Sequence, residues 1–245
     1  YEFKKNYITT ISTYSDNNMI YSYDADWAND DYWLSEYNWD PAIEGYKWSF
    51  IDSTNRNRVS RSQEFRLNHN NIIMGLYLSS IREIDKRDGW LFAGNANNII
   101  SKYLIDNSAL YFKVNYQLKT KMQLALSLRM DMYKTKQKLS YSIYDYYTYS
   151  TIDYTLPDEI IRDNSLLGGI IHFSYIYNER FDINTSISRG YKTSGINQSP
   201  NFSNNRIYKA EFSNNVEFGL NFINNIYDIN FTTFYIDRKN PQLRL

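Results

Sequence analysis

Apolar and polar residues alternate through residues 216–236, VEFGLNFINNIYDINFTTFYI. The apolar positions before the Asn224-Asn225 pair are Val216, Phe218, Leu220 and Phe222, and those after it are Tyr227, Ile229 and Phe231. A period of two places the apolar side chains on one face of a β-strand and the polar ones on the other. The apolar face must contact a protein core, a ligand or lipid.

The same alternation recurs along most of the chain. It predicts strands over residues 6–23, 59–68, 72–79, 108–118, 121–133, 165–177, 181–191 and two within 216–236, about nine in all. In 181–191 the apolar set is Phe181, Ile183, Ile187 and Tyr191. Helical periodicity is absent, so the predicted fold class is all-β and antiparallel.

The predicted connections alternate between short and long. Short ones lie near 68–71, 118–121, 178–180 and 223–226, and long ones near 24–58, 85–107, 135–164 and 193–210. In an up-and-down arrangement all short turns then fall at one end, as in outer-membrane barrels with short periplasmic turns and long extracellular loops. About ten residues at ~3.3 Å each, tilted ~45°, cross an apolar band of ~25 Å. A soluble sandwich also alternates and remains the alternative.

Composition excludes several other classes of protein. The 245 residues carry 27 basic and 27 acidic side chains, which gives no electrostatic reason to expect nucleic-acid binding. The absence of cysteine excludes disulfides, cysteine-ligated zinc and thiol nucleophiles. No apolar run is long enough for a transmembrane helix, which a spanning barrel does not need. The chain opens YEFKKNYITT, without a signal-peptide pattern, and we expect it to be part of a larger protein.

Four segments in order resemble the barrel of TonB-dependent receptors. RSQEFRLNHNNIIMGLYLSS (61–80) is similar to a strand pair of that family, and residues 106–133 are similar to the next pair. The segment 166–197 contains GYKTSGIN, which resembles the family's GYKSGGFN, and residues 208–242 resemble its last matching pair, with VEFGL and FYID. The resemblance runs in register over nearly the whole chain.

The resemblance implies a fold, a location and a function. Residues 1–245 would form a partial barrel domain, about nine strands of a transmembrane barrel of about 22, without the plug domain or the last strands. The whole protein would lie in the outer membrane of a Gram-negative bacterium, among lipid and lipopolysaccharide. It would take up a scarce ligand, a ferric siderophore as the first expectation, with the plug of the same chain and the TonB complex as partners. The alternatives are a passive porin-like or adhesin barrel and a soluble β-rich carbohydrate-binding protein.

Aromatic and arginine side chains in the predicted loops are the candidate ligand-binding residues. Tryptophan and tyrosine rings can stack on a sugar or an aromatic chelator, and arginine can bind an anionic ferric chelate. The alternative structural reading is a solvated loop with packed aromatics, and arginines that contact neighbouring strands or lipopolysaccharide. The candidates are Trp27, Trp33, Trp39, Trp48, Arg56, Arg58, Tyr144, Tyr146 and Tyr147.

Polar residues of the alternating segments are expected to face the barrel lumen, towards the plug or one another. These lumen-facing candidates are Glu64, Arg66, Gln123, Arg129 and Glu217. Asp24, Asp26, Asp30 and Asp31 offer oxygen ligands for calcium, but their spacing lacks the glycine and glutamate of an EF-hand. His69 and His172 lie on different segments, and no nucleophile-elbow motif is present. The sequence predicts no metal site, no cofactor and no enzyme activity.

Overall fold

A computed structural model describes residues 6–24, 29–40, 43, 51–91, 94–145, 148–155, 159–197 and 206–243. Nine long strands form one antiparallel sheet in the order β1-β2-β3-β4-β5-β7-β8-β11-β12, and a short tenth strand, β6, pairs with β5. Almost every strand therefore pairs with its neighbour in the chain. Within the described residues β1 and β12 each pair on one side only, so the sheet is an open segment of a barrel.

The strands differ widely in length. Their bounds are β1 Tyr7–Asp24, β2 Ile51–His69, β3 Ile72–Leu91, β4 Gly94–Lys119, β5 Met122–Asp145, β6 Ser150–Thr155, β7 Ile160–Asn178, β8 Phe181–Lys192, β9 Gly195–Ile196, β10 Ile207–Tyr208, β11 Glu211–Ile223 and β12 Asp228–Lys239. The short strands β9 and β10 pair with each other outside the main sheet. One helix, α1 Asp30–Tyr37, lies between β1 and β2. The expectation of an all-β chain therefore misses this helix.

Strand register separates the predicted side chains onto two faces. Leu76, Leu110, Met130 and Leu167 lie directly opposite one another across four strands, and directly opposite residues share a face. The other face is largely polar. Its residues include Arg66, Gly75, Tyr111 and Arg129, which lie directly opposite one another across four strands. We name these the apolar face and the polar face. The apolar positions predicted in 216–222, together with Ile229 and Phe231, lie on the apolar face.

Four short turns join successive strands at one end of the sheet, as predicted. They lie between β2 and β3, β4 and β5, β7 and β8, and β11 and β12. Asn70 takes a φ of 52° in the first turn, a left-handed conformation that asparagine tolerates better than most residues. In the last turn the Asn224 Oδ1 accepts hydrogen bonds from the Ile226 and Tyr227 amides at 2.8 and 2.7 Å. These turns account for part of the high asparagine content.

The long connections were predicted with the wrong bounds, because several are shorter in the structure than expected. β3 continues to Leu91 and β4 begins at Gly94, so most of the expected loop 85–107 is paired strand. Likewise β5 reaches Asp145, and β2 begins at Ile51, inside the expected loop 24–58. The pattern fails there because the side chains of both faces are largely polar, so alternation no longer marks a strand. The long strands extend well beyond the apolar part of the sheet.

The apolar face is contiguous only near the short turns. On β5 it comprises the even-numbered positions from Met122 to Met132, whose strand segment spans ~25 Å at a tilt of ~45°. Beyond this band the same face carries Lys134, Lys136 and Lys138. Leu110, Leu167 and Ile187 are 58%, 55% and 61% exposed, which matches a surface covered by lipid. Among the described helices, none has the length and hydrophobicity needed to cross a bilayer.

Candidate ligand-facing surface

The five residues predicted to face a lumen share the polar face. Glu64 and Arg66 are two residues apart on β2, so their side chains share a face. Across the sheet, Arg66 lies opposite Gly75, Gly75 lies opposite Tyr111, and Tyr111 lies opposite Arg129 on β5. Gln123 lies on the same strand and face as Arg129, opposite Ser174 of β7. Glu217 on β11 lies opposite Ser186 of β8, and Ser186 lies opposite His172 of β7. His172 in turn lies opposite Ala125 of β5. β-barrel lumens are polar, and the lumen-facing orientation of these five residues stays a prediction.

A first ionic cluster on the polar face joins β2 to β4. The Arg66 Nη2 donates to Glu64 Oε1 at 2.7 Å, and the Arg66 Nε donates to the Tyr111 hydroxyl at 3.0 Å. The Tyr111 hydroxyl in turn donates to Glu64. The Tyr111 ring lies over Gly75, where any Cβ would overlap it. A glycine on β3 therefore makes room for a tyrosine that completes the cluster.

A second cluster surrounds a buried carboxylate on β5. Asp131 is 1% exposed and accepts hydrogen bonds from Arg129 Nε at 2.7 Å and Asn107 Nδ2 at 2.9 Å. The Tyr191 hydroxyl also donates to Asp131. The assignment of Tyr191 to the apolar set is therefore wrong. The β7–β8 ladder ends at Gly169–Arg189, and beyond it the Tyr191 ring lies against Gly168, which has no side chain to exclude it.

Arg56 and Arg58 lie on strand β2 rather than in a loop. The Arg56 Nε and Nη2 donate to the two Asp85 carboxylate oxygens at 2.8 and 2.6 Å. Arg58 lies 3.8 Å from Glu83, which is also 3.8 Å from Arg56. All four side chains lie on the polar face, where β2 pairs with β3. These contacts give both arginines a structural role in joining the strands, and their ligand-binding role stays a prediction.

The predicted aromatic ligand-binding residues fall in three places. Trp33 lies on α1, where its ring is 5.4 Å from that of Tyr32 and 5.2 Å from that of Tyr37. Trp39 lies just after the C-cap residue of the helix, Asn38. Tyr144 lies on β5, paired with Thr151 of β6, so this position is strand rather than loop. The remaining four candidates lie outside the described residues: Trp27, Trp48, Tyr146 and Tyr147.

The acidic candidates for calcium also receive a structural explanation. Asp30 and Asp31 form the first turn of α1, where carboxylates interact favourably with the positive end of the helix dipole. Asp24 ends β1, and Asp26 lies outside the described residues. Among the described residues, no three acidic, histidine or cysteine side chains lie close enough together to hold a metal ion.

The connection between β8 and β11 folds back against the polar face. Its two short strands, β9 and β10, pair through Ile196 with Ile207 and through Gly195 with Tyr208. Tyr103 of β4 hydrogen-bonds the backbone of Ile196. Ile196 and Ser194 are 3% and 2% exposed, as is expected of residues packed beneath other side chains. The connection therefore covers part of β4 and β5 on the side opposite the lipid-like surface.

This connection brings an arginine into the covered region. Arg206 is 8% exposed, and its Nη2 donates to Gln137 Oε1 at 2.7 Å. Its Nε has no hydrogen-bond partner, and no carboxylate lies within ion-pair distance among the described residues. Burial lowers the pKa of Arg206, and the nearby Tyr141 opposes this effect. A buried guanidinium without a carboxylate is costly unless an anion approaches it.

Sequence reasoning did not find Arg206. The residue ends a polar segment, TSGINQSPNFSNNR (193–206), without any periodic pattern. Its environment depends on Gln137 and Ser101, which are distant in sequence and join through a 3.3 Å hydrogen bond. The one available signal is compositional, because the segment 193–210 has no acidic residue to pair with its arginine.

Solved structures share this fold at low sequence identity. The ferric yersiniabactin uptake receptor FyuA from Yersinia pestis matches with a TM-score of 0.66 and 18% identity, over 81% of this chain and 32% of that structure. The siderophore receptor PiuA from Acinetobacter baumannii gives 0.53 and 12%, over 93% and 37%. The copper transporter OprC gives 0.57 and 10%, over 94% and 35%. The chain thus spans about a third of the length of each.

A family model identifies the chain more directly than these distant structures. No curated protein sequence matches it. The model described as TonB dependent receptor-like, beta-barrel, matches residues 2–245. Barrels of this family are outer-membrane transport receptors. The chain therefore belongs to the TonB-dependent receptor β-barrel family.

Proposed function

We propose that the full-length protein is an outer-membrane receptor that takes up a scarce ligand with energy from the TonB complex. Family membership supports the transport class, and the apolar band supports a membrane location. The names of two structural neighbours include a siderophore or ferric chelate, and the third is a copper transporter. A ferric siderophore is therefore the cargo we propose, with the plug of the full-length protein as the moving part.

The single observation that carries the choice of cargo is the environment of Arg206. The guanidinium is buried against the polar face without a carboxylate partner among the described residues. Many ferric chelates expose carboxylate or other anionic oxygens, which arginine binds through two parallel hydrogen bonds. Gln137 and Tyr103 lie beside this position and add polar groups to it. The surface therefore suits an anionic chelate better than a neutral sugar.

Binding of ferric siderophores to the purified full-length protein tests this proposal. We expect quenching of intrinsic tryptophan fluorescence by an anionic ferric siderophore, and a Kd raised about tenfold or more by Arg206→Gln, since a charge-assisted hydrogen bond contributes about 1.5–3 kcal/mol. Arg180→Gln, at the exposed β7–β8 turn, is the matched control and should leave the Kd unchanged.

Two different results would contradict separate parts of the proposal. Equal affinity of the Arg206→Gln and unchanged proteins would show that Arg206 does not bind the cargo. Absence of binding for every ferric siderophore, together with ion conductance of the purified protein in a planar bilayer, would favour the passive porin-like alternative.

A further inference from the structure

Polar side chains interrupt the apolar face on strands β1 and β2. On β5 this face is apolar from Met122 to Met132, whereas on β2 only Leu67 and Phe65 are apolar between the short turn and Gln63. We name the interruption the β1–β2 patch. Its members are Thr10, Ser12, Tyr14, Asp16, Arg61 and Gln63.

Strand register places the β1–β2 patch on the same side of the sheet as the apolar band. Leu67 lies opposite Met74 of the apolar face, and Ile8 lies opposite Leu67. Side chains two residues apart on a strand share a face, so the odd-numbered residues of β2 and the even-numbered residues of β1 belong to this face. The Arg61 guanidinium lies 5.5 Å from the centre of the Tyr14 ring, which requires both side chains to be on one face.

The patch lies within the height of the apolar band. Gln63 and Arg61 precede His69, the last residue of β2, by six and eight residues. At ~3.3 Å per residue and a tilt of ~45°, they lie ~14 and ~19 Å above the short turn, inside a band of ~25 Å. Polar and charged side chains at such depth are costly and are usually paired.

The lower part of the patch forms its hydrogen bonds within one chain. The Ser12 hydroxyl donates to Gln63 Oε1 at 2.5 Å, and Gln63 Nε2 donates to Thr10 Oγ1 at 2.7 Å. These bonds join β1 to β2 across the face. The requirement for a partner therefore comes from the charged residues above them.

Asp16 and Arg61 carry the charges of the patch. Both residues are exposed, and among the described residues neither has an oppositely charged group within ion-pair distance. Asp16 accepts a 3.5 Å hydrogen bond from the Tyr14 hydroxyl. One positive and one negative charge make the patch neutral as a whole. An anionic lipid headgroup would attract Arg61 but repel Asp16, so it matches only half of the patch.

The two charges lie at nearly the same height in the membrane. Asp16 lies opposite Val59, two residues beyond Arg61 on β2. Rows of opposite residues descend towards β1, because Ile72, the first residue of β3, shares a row with Leu126, the fifth residue of β5. Short turns lie at one membrane surface, so the row descends by four residues over two strands, or two per strand. The one-strand step from β2 to Asp16 therefore cancels the two-residue step along β2.

Equal height makes the patch complementary to a second copy of itself. A two-fold axis along the membrane normal preserves height, so it can place Arg61 of each copy beside Asp16 of the other. A two-fold contact uses the same surface on both copies, and each favourable pair then occurs twice. Exposed apolar side chains border the charges on the same strands, with Ile8 74% and Phe65 46% exposed.

We propose that two copies of the full-length barrel associate in the membrane through the β1–β2 patch. Charge complementarity selects this occupant, because lipid tails pair with neither charge and an anionic headgroup pairs with only one. The ion pairs of Arg61 with Asp16 of the second copy remove both unpaired charges from the lipid-facing surface. The contact lies on the side of the sheet opposite the polar face, so it does not depend on the transported cargo.

An exchange of charges between two variants tests the proposal. Full-length protein labelled with a donor or an acceptor fluorophore is reconstituted in phosphatidylcholine vesicles, and association is measured by energy transfer without cargo. We expect Asp16→Lys alone and Arg61→Glu alone to lower the association constant about tenfold or more, because each contact then joins like charges. A mixture of the two variants should regain association, because each contact again joins opposite charges.

Matched controls on the same face distinguish the patch from a general effect of charge. Asp163→Lys on β7 and Lys138→Glu on β5 are exposed positions away from the patch and should leave association unchanged. Arg61→Gln removes one charge without creating repulsion and should weaken association about threefold or more. Heat-modifiable migration in gel electrophoresis verifies that each variant has folded.

Three results would overturn the proposal. The first is energy transfer from the unchanged protein no greater than random mixing in the vesicles produces. The second is association of the Asp16→Lys and Arg61→Glu variants equal to that of the unchanged protein, which would leave the two charges to lipid headgroups and water. The third is a mixture of these variants that associates no better than either variant alone.

Discussion

At the scale of single residues, a few polar side chains tie the strands together on the polar face. Asp131 accepts hydrogen bonds from three side chains on three strands. Arg129 is 41% exposed at its side chain, whereas Asp131 is 1% exposed. Solvent therefore screens the charge of Arg129 but not that of Asp131. Removal of the carboxylate leaves Arg129 without its main counter-charge.

We predict that Asp131→Asn destabilises the folded barrel by about 3 kcal/mol, because breaking a buried pair leaves an uncompensated charge. The free energy of unfolding of the full-length protein in urea, measured by tryptophan fluorescence in lipid vesicles, tests this prediction. Asp163→Asn, an exposed position on β7, is the control and should change it little. An equal loss in both variants would mean that the buried cluster does not stabilise the sheet.

Glycine positions provide a second prediction at this scale. A Cβ at Gly75 would overlap the Tyr111 ring, so Gly75→Val must displace the tyrosine from Glu64 and Arg66. We expect a loss of about 2 kcal/mol in the same unfolding experiment, in the range typical of overpacking. Gly190→Ala is the control, because nothing lies within 4 Å of a Cβ built there. An unchanged stability for Gly75→Val would show that Tyr111 has another favourable position.

At the scale of elements, the long strands extend from lipid into water, and β5 shows the transition. Its apolar-face positions change from Leu126 and Leu128 near the turn to Lys136 and Lys138 further along the strand. The alternating odd-numbered residues lie on the polar face. The chain has no cysteine, so a single cysteine can be introduced at a chosen position and labelled with a fluorophore. We predict that lipid-borne bromine quenches the fluorophore in the Leu126→Cys and Leu128→Cys variants. It should not quench the fluorophore in the control variants Ser127→Cys, Arg129→Cys and Lys138→Cys.

This labelling experiment distinguishes a membrane strand from a soluble one. Quenching that alternates over residues 122–132 and stops beyond them would support the apolar band. Uniform quenching along β5, or none at any position, would contradict the assignment of the apolar face to lipid and revive the soluble alternative.

At the scale of the whole molecule, the described sheet needs further strands. β1 and β12 each have one unpaired edge among the described residues, and backbone groups must be paired in lipid. We therefore predict that residues 1–245 expressed alone do not form a stable pore. Heat-modifiable migration together with single-channel conductance from that polypeptide would contradict the prediction.

The sequence predicted the sheet better than it predicted the ends of its strands. Alternation at Leu124, Leu126 and Leu128 identified the faces, because lipid on one side and a polar face on the other require opposite side chains. Above the band, Lys136 and Lys138 replace the apolar residues, so the period of two disappears although pairing continues. The alternation pattern therefore does not locate the strand ends that lie in water.

Helix α1 and the fold-back segment escaped prediction for different reasons. The helix has only eight residues and no buried side chain, so it has no apolar stripe to detect. A local cap stabilises it instead, in which the Asn29 Oδ1 accepts a hydrogen bond from the Tyr32 amide at 2.9 Å. Arg206 acquires its environment from Gln137, which is 69 residues away in sequence. Local patterns carry no information about such contacts.

Transport of a radiolabelled ferric siderophore into iron-limited cells tests energised uptake by the full-length protein most directly. Cells that express the full-length protein are compared with cells that lack it, each with and without a functional TonB. We predict accumulation only when both proteins are present, and its loss when a protonophore collapses the inner-membrane gradient. Accumulation that persists without TonB, or that never exceeds that of cells lacking the protein, would contradict energised uptake.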